Sequence, residues 1–227
     1  MFKFYESPKL KFSIVILLIS WMTCSSCAWF QEKKEKTAKE LVNEGINEFN
    51  NGNYEYSINA FEKLKDWYPF SKFAVLAEIK IADANFRLKK YEEAARAYKE
   101  FTNLHPTNEA VPYAIYQNGL CYFNQVDTVD RDQSSAKTAL DIFNRLIKQF
   151  PENIYVNQAK AHKKKCLKSI AGHELYVGLF YFKTKHYKAA LNRFKSVVCN
   201  YPDVGVHKKA LRYIPLCEEA MLKSESS

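Results

Sequence analysis

Apolar side chains recur along this chain at helical intervals, and four prolines divide the pattern into units. Each of these prolines follows a ring-bearing residue: Tyr68-Pro69, His105-Pro106, Phe150-Pro151 and Tyr201-Pro202. Counting back from the proline, the fifth residue is apolar (Leu64, Phe101, Leu146, Val197) and the eighth is a ring (Phe61, Tyr98, Phe143, Phe194). The twelfth is small (Ser57, Ala94, Ala139, Ala190), and the fifteenth is Tyr54, Tyr91, Ala136 or Tyr187. Steps of three and four residues stay on one face of an α-helix, so each unit holds a helix that stops ahead of its proline. A second helix is predicted before each of these. Gly45, Ala82, Gly119 and Gly178 each have a phenylalanine four residues on, at Phe49, Phe86, Phe123 and Phe182.

In the two regular units the small residue lies 24 positions before the proline, which is the spacing of Gly and Pro in the tetratricopeptide consensus. Small residues let two helices approach, rings fill the wedge beside them, and proline ends the unit. The predicted fold is therefore all-α, a tetratricopeptide-repeat superhelix of four helix pairs with a C-terminal capping helix. Two irregularities interrupt it. The third unit spans 32 residues from Gly119 to Pro151, so it carries an eight-residue polar insertion around Asn124 to Ser134, read as a loop. From Pro151 to Gly178 is 27 residues, against 13 between the earlier units. The additional residues make about four helical turns, so one long helix from about Ile154 to Lys183 is expected to join the two halves, with Gly172 as its weak point. The cap is expected over roughly Lys208 to Lys223, kinked or started by Pro215.

The N-terminus breaks the repeat pattern and reads as a targeting segment. Lys3, Lys9 and Lys11 precede an apolar run, Phe12 to Met22, that is too short to span a bilayer. Ser25-Ser26-Cys27 follows and resembles a bacterial lipobox, in which Cys27 is acylated and becomes the mature N-terminus; Cys24 stands where such motifs usually carry leucine. The expected organisation is a lipoprotein signal peptide at 1–26 and a lipidated tether at 27–37. N-terminal repeats at 38–151 form a substrate groove, and the long helix, fourth repeat and cap at 152–223 bind a partner. Ala28 after the cysteine suggests release to the outer membrane, with the protein on its periplasmic face.

Composition narrows the chemistry. Six glycines and seven prolines in 227 residues disfavour a turn-rich β architecture. No phosphate-binding glycine loop, serine elbow or paired-histidine zinc motif is present in the sequence, so neither catalysis nor a cofactor nor a metal is expected. His162 and Cys166, one turn apart, are half a metal site without a second half. Glu174 beside His173 reads as a lone acidic group among lysines. Cys121, Cys166, Cys199 and Cys217 sit among apolar neighbours and read as small core side chains, with any pairing open. The net charge is +9, and between Lys160 and Lys195 ten basic residues face one acid, Glu174. Such a block suits an acidic partner or an anionic membrane surface; nucleic acid is not expected behind a secretion signal. The first helices of the early repeats should line a concave groove for an extended peptide. Its candidate residues are Val42, Ile46, Asn50, Asp83, Arg87 and Tyr116, while Phe49 and Phe86 read as core.

Several runs together resemble the BamD family, the lipoprotein subunit of the outer-membrane β-barrel assembly machinery. They are Trp67-Tyr68-Pro69-Phe70, Tyr116-Gln117-Asn118-Gly119-Leu120, Asp130-Arg131-Asp132-Gln133, Phe150-Pro151-Glu152-Asn153-Ile154-Tyr155, His173-Glu174, Phe180-Tyr181-Phe182 and Asn192-Arg193. The resemblance covers about Ala38 to Met221 and differs at the C-terminus, where family members commonly complete a fifth repeat. It implies a scaffold that assists assembly and insertion of β-barrel proteins into the outer membrane. The implied partners are the POTRA region of the central barrel subunit, unfolded barrel proteins in the N-terminal groove, and accessory lipoproteins. Arg193, with Asn192, matches the family's contact to an acidic POTRA residue. Alternatives are another repeat lipoprotein, such as a pilus-secretin pilotin or a Tol-associated coordinator, and, from a different class, a membrane-anchored hydrolase.

Overall fold

A computed structural model describes residues 35–225; the signal segment and Cys27 lie outside the described residues. Nine helices follow one another without a strand among the described residues. They are α1 (Ala38–Asn50), α2 (Tyr54–Trp67), α3 (Ala74–Arg87), α4 (Tyr91–Leu104), α5 (Val111–Phe123), α6 (Ser134–Gln149), α7 (Val156–Lys183), α8 (Tyr187–Asn200) and α9 (His207–Glu225). Each packs on the next, and the connections are mostly short, so neighbours run antiparallel. In the N-terminal repeats the starts of α1, α3, α5 and α7 therefore share one edge of the stack with the ends of α2, α4 and α6.

The register positions read from the sequence form the core. Phe61, Tyr98, Phe143 and Phe194 are fully buried, as are Leu64, Leu146, Val197 and the small residues Ser57, Ala94, Ala139 and Ala190. The rings lie against the glycines. A Cβ built on Gly45, Gly119 or Gly178 would stand 2.5–2.7 Å from the ring of Phe61, Phe143 or Phe194. Ser57 adds a hydroxyl bond to the Gly45 carbonyl at 2.8 Å, using one helix's backbone as acceptor for the other.

Two kinds of turn alternate, and each repeats its own chemistry. Within repeats one, two and four the first helix ends in a left-handed residue: Gly52 (φ 82°), Lys89 (φ 60°) and Lys185 (φ 61°). The following amide bonds five residues back, from Asn53 to Glu48, Lys90 to Asn85 and His186 to Tyr181, each at 2.9 Å, which is the Schellman closure. An edge-to-face pair then clasps the hairpin: Phe49–Tyr54, Phe86–Tyr91 and Phe182–Tyr187, with centroids 5.3–5.6 Å apart. Between repeats, Ser71, Asn108 and Asn153 stand two residues after the proline. Their side chains accept from the amides of Phe73, Ala110 and Tyr155.

The insertion is a loop, as expected, yet it is pinned. Buried Gln133 donates to the carbonyls of Thr128 and Arg131 and accepts from Ser169 Oγ at 2.7 Å. Val129 meets α7 twice: its carbonyl lies 2.7 Å from His173 Nδ1, and its side chain presses on the bare Cα of Gly172. Gly172 is thus a point of close packing in an unbroken 28-residue helix, and the expectation of a weak point does not hold. The first half of α7 contributes Ala159 and Cys166 to the core of α3–α6, and its second half contributes Leu175 to the core of α8 and α9. Pro215 lies inside α9, which continues through it.

Candidate partner-binding surfaces

The groove residues expected from the sequence divide into two sets. Ile46 is partly buried against the N-terminal core of Leu41, Phe61 and Leu64, and Asn50 and Arg87 are exposed at the ends of α1 and α3. Val42, Asp83 and Tyr116 are buried, which removes them from an open groove surface. Val42 packs with Leu41, Phe61 and Leu64. Tyr116 stacks on Tyr155 at the start of α7, with centroids 5.1 Å apart and planes 13° from parallel. Asp83 is an internal acceptor: Oδ1 receives the hydroxyls of Tyr98 and Tyr113, both at 2.7 Å, while Oδ2 pairs with Lys80 at 3.0 Å. Burial foremost, and the Asp83 carboxylate second, push both phenols far above their ordinary range. Periodicity placed these three residues on the first helices but could not say which face the neighbouring repeat covers.

Phe49 and Phe86 are half-buried and serve the hairpin clasps, in keeping with their core reading. In repeat three the insertion displaces this arrangement. Ala136 stands where the others carry tyrosine, and Phe123 packs edge-on to His162 of α7 at 4.5 Å. His162 also stacks on Phe143 at 5.6 Å, and burial followed by the charge of Lys165 lowers its pKa. His162 is therefore one more ring in an aromatic cluster. Cys166 below it is buried, and no group of three potential metal ligands occurs among the described residues.

At the C-terminal end, Asn192 and Arg193 line one open depression with Glu174, Tyr181, Ala189 and Ser196. Arg193 Nη1 donates to both Glu174 carboxylate oxygens, at 2.9 and 3.1 Å. Glu174 is thus paired, correcting its reading as a lone acid. The pair spans α7 and α8 and is asymmetric: the Arg193 side chain is 43% exposed and that of Glu174 is 16% exposed. One face of the guanidinium is held while the rest stays open to solvent. The basic block is further offset by Lys195–Glu218 at 3.3 Å, an acid supplied by α9 from outside the segment. Of the cysteines, Cys121, Cys166 and Cys217 are buried as expected, but Cys199 is exposed near the end of α8; none of the four forms a disulfide.

Stacked antiparallel helix pairs with a small-residue/ring register and Schellman-closed hairpins define a tetratricopeptide-type repeat protein. The profile of the YfiO family, described as outer membrane lipoprotein, matches residues 34–225. This chain belongs to that family, and its role lies in outer-membrane protein assembly. Among its relatives, the outer membrane protein assembly factor BamD of Rickettsia prowazekii (strain Madrid E) is 31% identical over 82% of this chain and 74% of its own. BamD of Pasteurella multocida (strain Pm70) is 27% identical over 95% of this chain and 85% of its own. BamD of Neisseria gonorrhoeae is 27% identical over 86% and 77%, respectively. Among solved structures, a tetratricopeptide-repeat protein of Thermus thermophilus aligns over 82% of this chain and 100% of its own at 13% identity and a TM-score of 0.42, too loose a likeness to add to the helix pairs themselves.

Proposed function

We propose that this chain is a non-catalytic scaffold, anchored by acylated Cys27 to the periplasmic face of the outer membrane. Its C-terminal part, residues 152–223, holds the POTRA region of a β-barrel assembly subunit, and its N-terminal repeats, residues 38–151, receive unfolded barrel proteins. The observation that carries this reading is the Arg193 site. A guanidinium held by Glu174, half open, beside Asn192, is positioned to share its remaining donors with an acidic group on a partner. In the N-terminal part, Ile46, Asn50 and Arg87 remain as groove candidates.

The ion pair supplies its own control. Arg193→Gln and Glu174→Gln both abolish the internal pair, but only the first removes the cation offered outward. Binding of the purified POTRA fragment, measured by calorimetry, should weaken about tenfold or more in Arg193→Gln, the loss of one charge-assisted contact. Glu174→Gln should stay within a few-fold of the parent. Equal losses in both variants would make the pair a local brace between α7 and α8 and withdraw Arg193 from the interface.

A further inference from the structure

Of the seven large hydrophobic side chains that the N-terminal repeats leave in solvent, five stand on one edge. Trp67 and Phe70 stand at the α2–α3 turn, Leu76 at the start of α3, Leu104 at the end of α4 and Ile154 just before α7. Phe70 is fully exposed and Ile154 is 79% exposed. All five lie where the inter-repeat turns gather, the edge on which α1 begins at Ala38. The opposite side, formed by the hairpin turns and the insertion, presents Asn51, Gly52, Lys89 and Lys90, with Tyr56 and Val129 as its exposed large hydrophobic side chains. Apolar side chains left in solvent at turn tips add nothing to the fold's own core, and grouped on one edge they suit contact with an external apolar phase.

We infer that this inter-repeat edge rests on the outer-membrane surface, with Trp67 and Phe70 inserted at the interface. The occupant follows from the chain's own connectivity and rests on the Cys27 anchor proposed above. Ten residues, 28–37, separate Cys27 from α1; fully extended they reach roughly 35 Å. The tether joins the repeats at the edge where α1 begins, and its length keeps that edge within reach of the bilayer. Tethering makes the second contact intramolecular, so side chains too few to bind a bilayer alone suffice once the acyl chains are inserted. Trp67, an aromatic body with one polar N–H, suits the headgroup boundary. Exposed charges on this edge are mixed, with Lys72 and Lys148 against Asp66, Glu109 and Glu152, so the contact does not depend on anionic lipid. Lying edge-down leaves the Arg193 site, carried on α8 beyond the long helix, free for a periplasmic partner.

The test uses the lipidated full chain in phosphatidylcholine vesicles free of other protein. The sequence has three tryptophans; Trp21 leaves with the signal segment, and Trp29→Phe makes Trp67 the sole reporter. With bromines on the upper acyl chain, Trp67 emission should be roughly halved, and aqueous acrylamide should quench it less than in detergent-free Cys27→Ser protein, which lacks the anchor. Replacing the exposed Phe70, Leu104 and Ile154 by serine should restore Trp67 emission while the protein still floats with the vesicles. Protein that floats with the vesicles yet shows no bromine quenching overturns the edge contact and leaves the anchor standing. Protein that keeps its signal segment by mass and does not float overturns the anchor itself, and this proposal with it.

Discussion

Glycine against a phenyl ring is the residue-scale device on which the repeats depend. In an open helix, glycine to alanine is a gain of about 1 kcal/mol from propensity. At Gly119 the new methyl would stand 2.5 Å from a Phe143 ring that is itself fully buried, so overpacking decides the sign. Gly119→Ala is expected to destabilise the fold by about 1–3 kcal/mol in urea titration; a stabilised variant would show that the ring can move aside. Buried ionisable side chains add a pH dependence. Burial pushes the Cys121 thiol up to about 12 and the Cys166 thiol up to about 11, and it raises Tyr98 and Tyr113 as well. Above the ordinary thiol and phenol values, the unfolded chain has lost these protons while the folded chain still holds them. The folded state then binds more protons, so stability is intact below about pH 9 and falls as pH rises beyond it. The urea midpoint should therefore hold to about pH 9 and drop between about pH 9 and about pH 10.5, and a flat profile would mean that these groups are less sealed than their geometry indicates.

At the scale of elements, most of the architecture was legible in the sequence because each repeat obeys the same small set of steric rules. Offsets of 5, 8 and 12 residues before each proline named buried positions in every unit. The long helix and the insertion followed from spacing alone. What escaped was whatever depends on a neighbouring element. Nothing local to Asp83 announces that Tyr98 and Tyr113 will both donate to it, and Glu174 finds Arg193 nineteen residues away on another helix. Gly172 looked weak by propensity because Val129, its packing partner, arrives from a loop 43 residues earlier. The Ser71, Asn108 and Asn153 turn acceptors, two residues past the first three prolines, were a readable register that the helix offsets did not include. The hairpin turns make a further prediction. Lys89 occupies a left-handed position that glycine fills at Gly52, so Lys89→Gly relieves a steric cost of about 1 kcal/mol. A slightly higher melting temperature is expected, and a lower one would mean that the Lys89 side chain makes a compensating contact.

At the largest scale, residues 38–225 form a short solenoid with one continuous helix shared by two cores. That helix carries Glu174, the partner of Arg193 on α8, and the insertion loop braces its middle through Gln133–Ser169 and Val129–His173. On the scaffold proposal, the long helix is the spacer that holds two binding surfaces in register. No helix among the described residues is long and apolar enough to cross a membrane. On the scaffold proposal, attachment falls to Cys27 and the inter-repeat edge. Belonging to the YfiO family places this chain in outer-membrane protein assembly. The most direct measurement is affinity purification of the tagged, detergent-solubilised protein from its own membranes, with co-purifying chains identified by mass. A large barrel protein bearing POTRA domains is expected, in near-equal amount and diminished by Arg193→Gln. Secretin or Tol components in its place would overturn the assembly-scaffold reading.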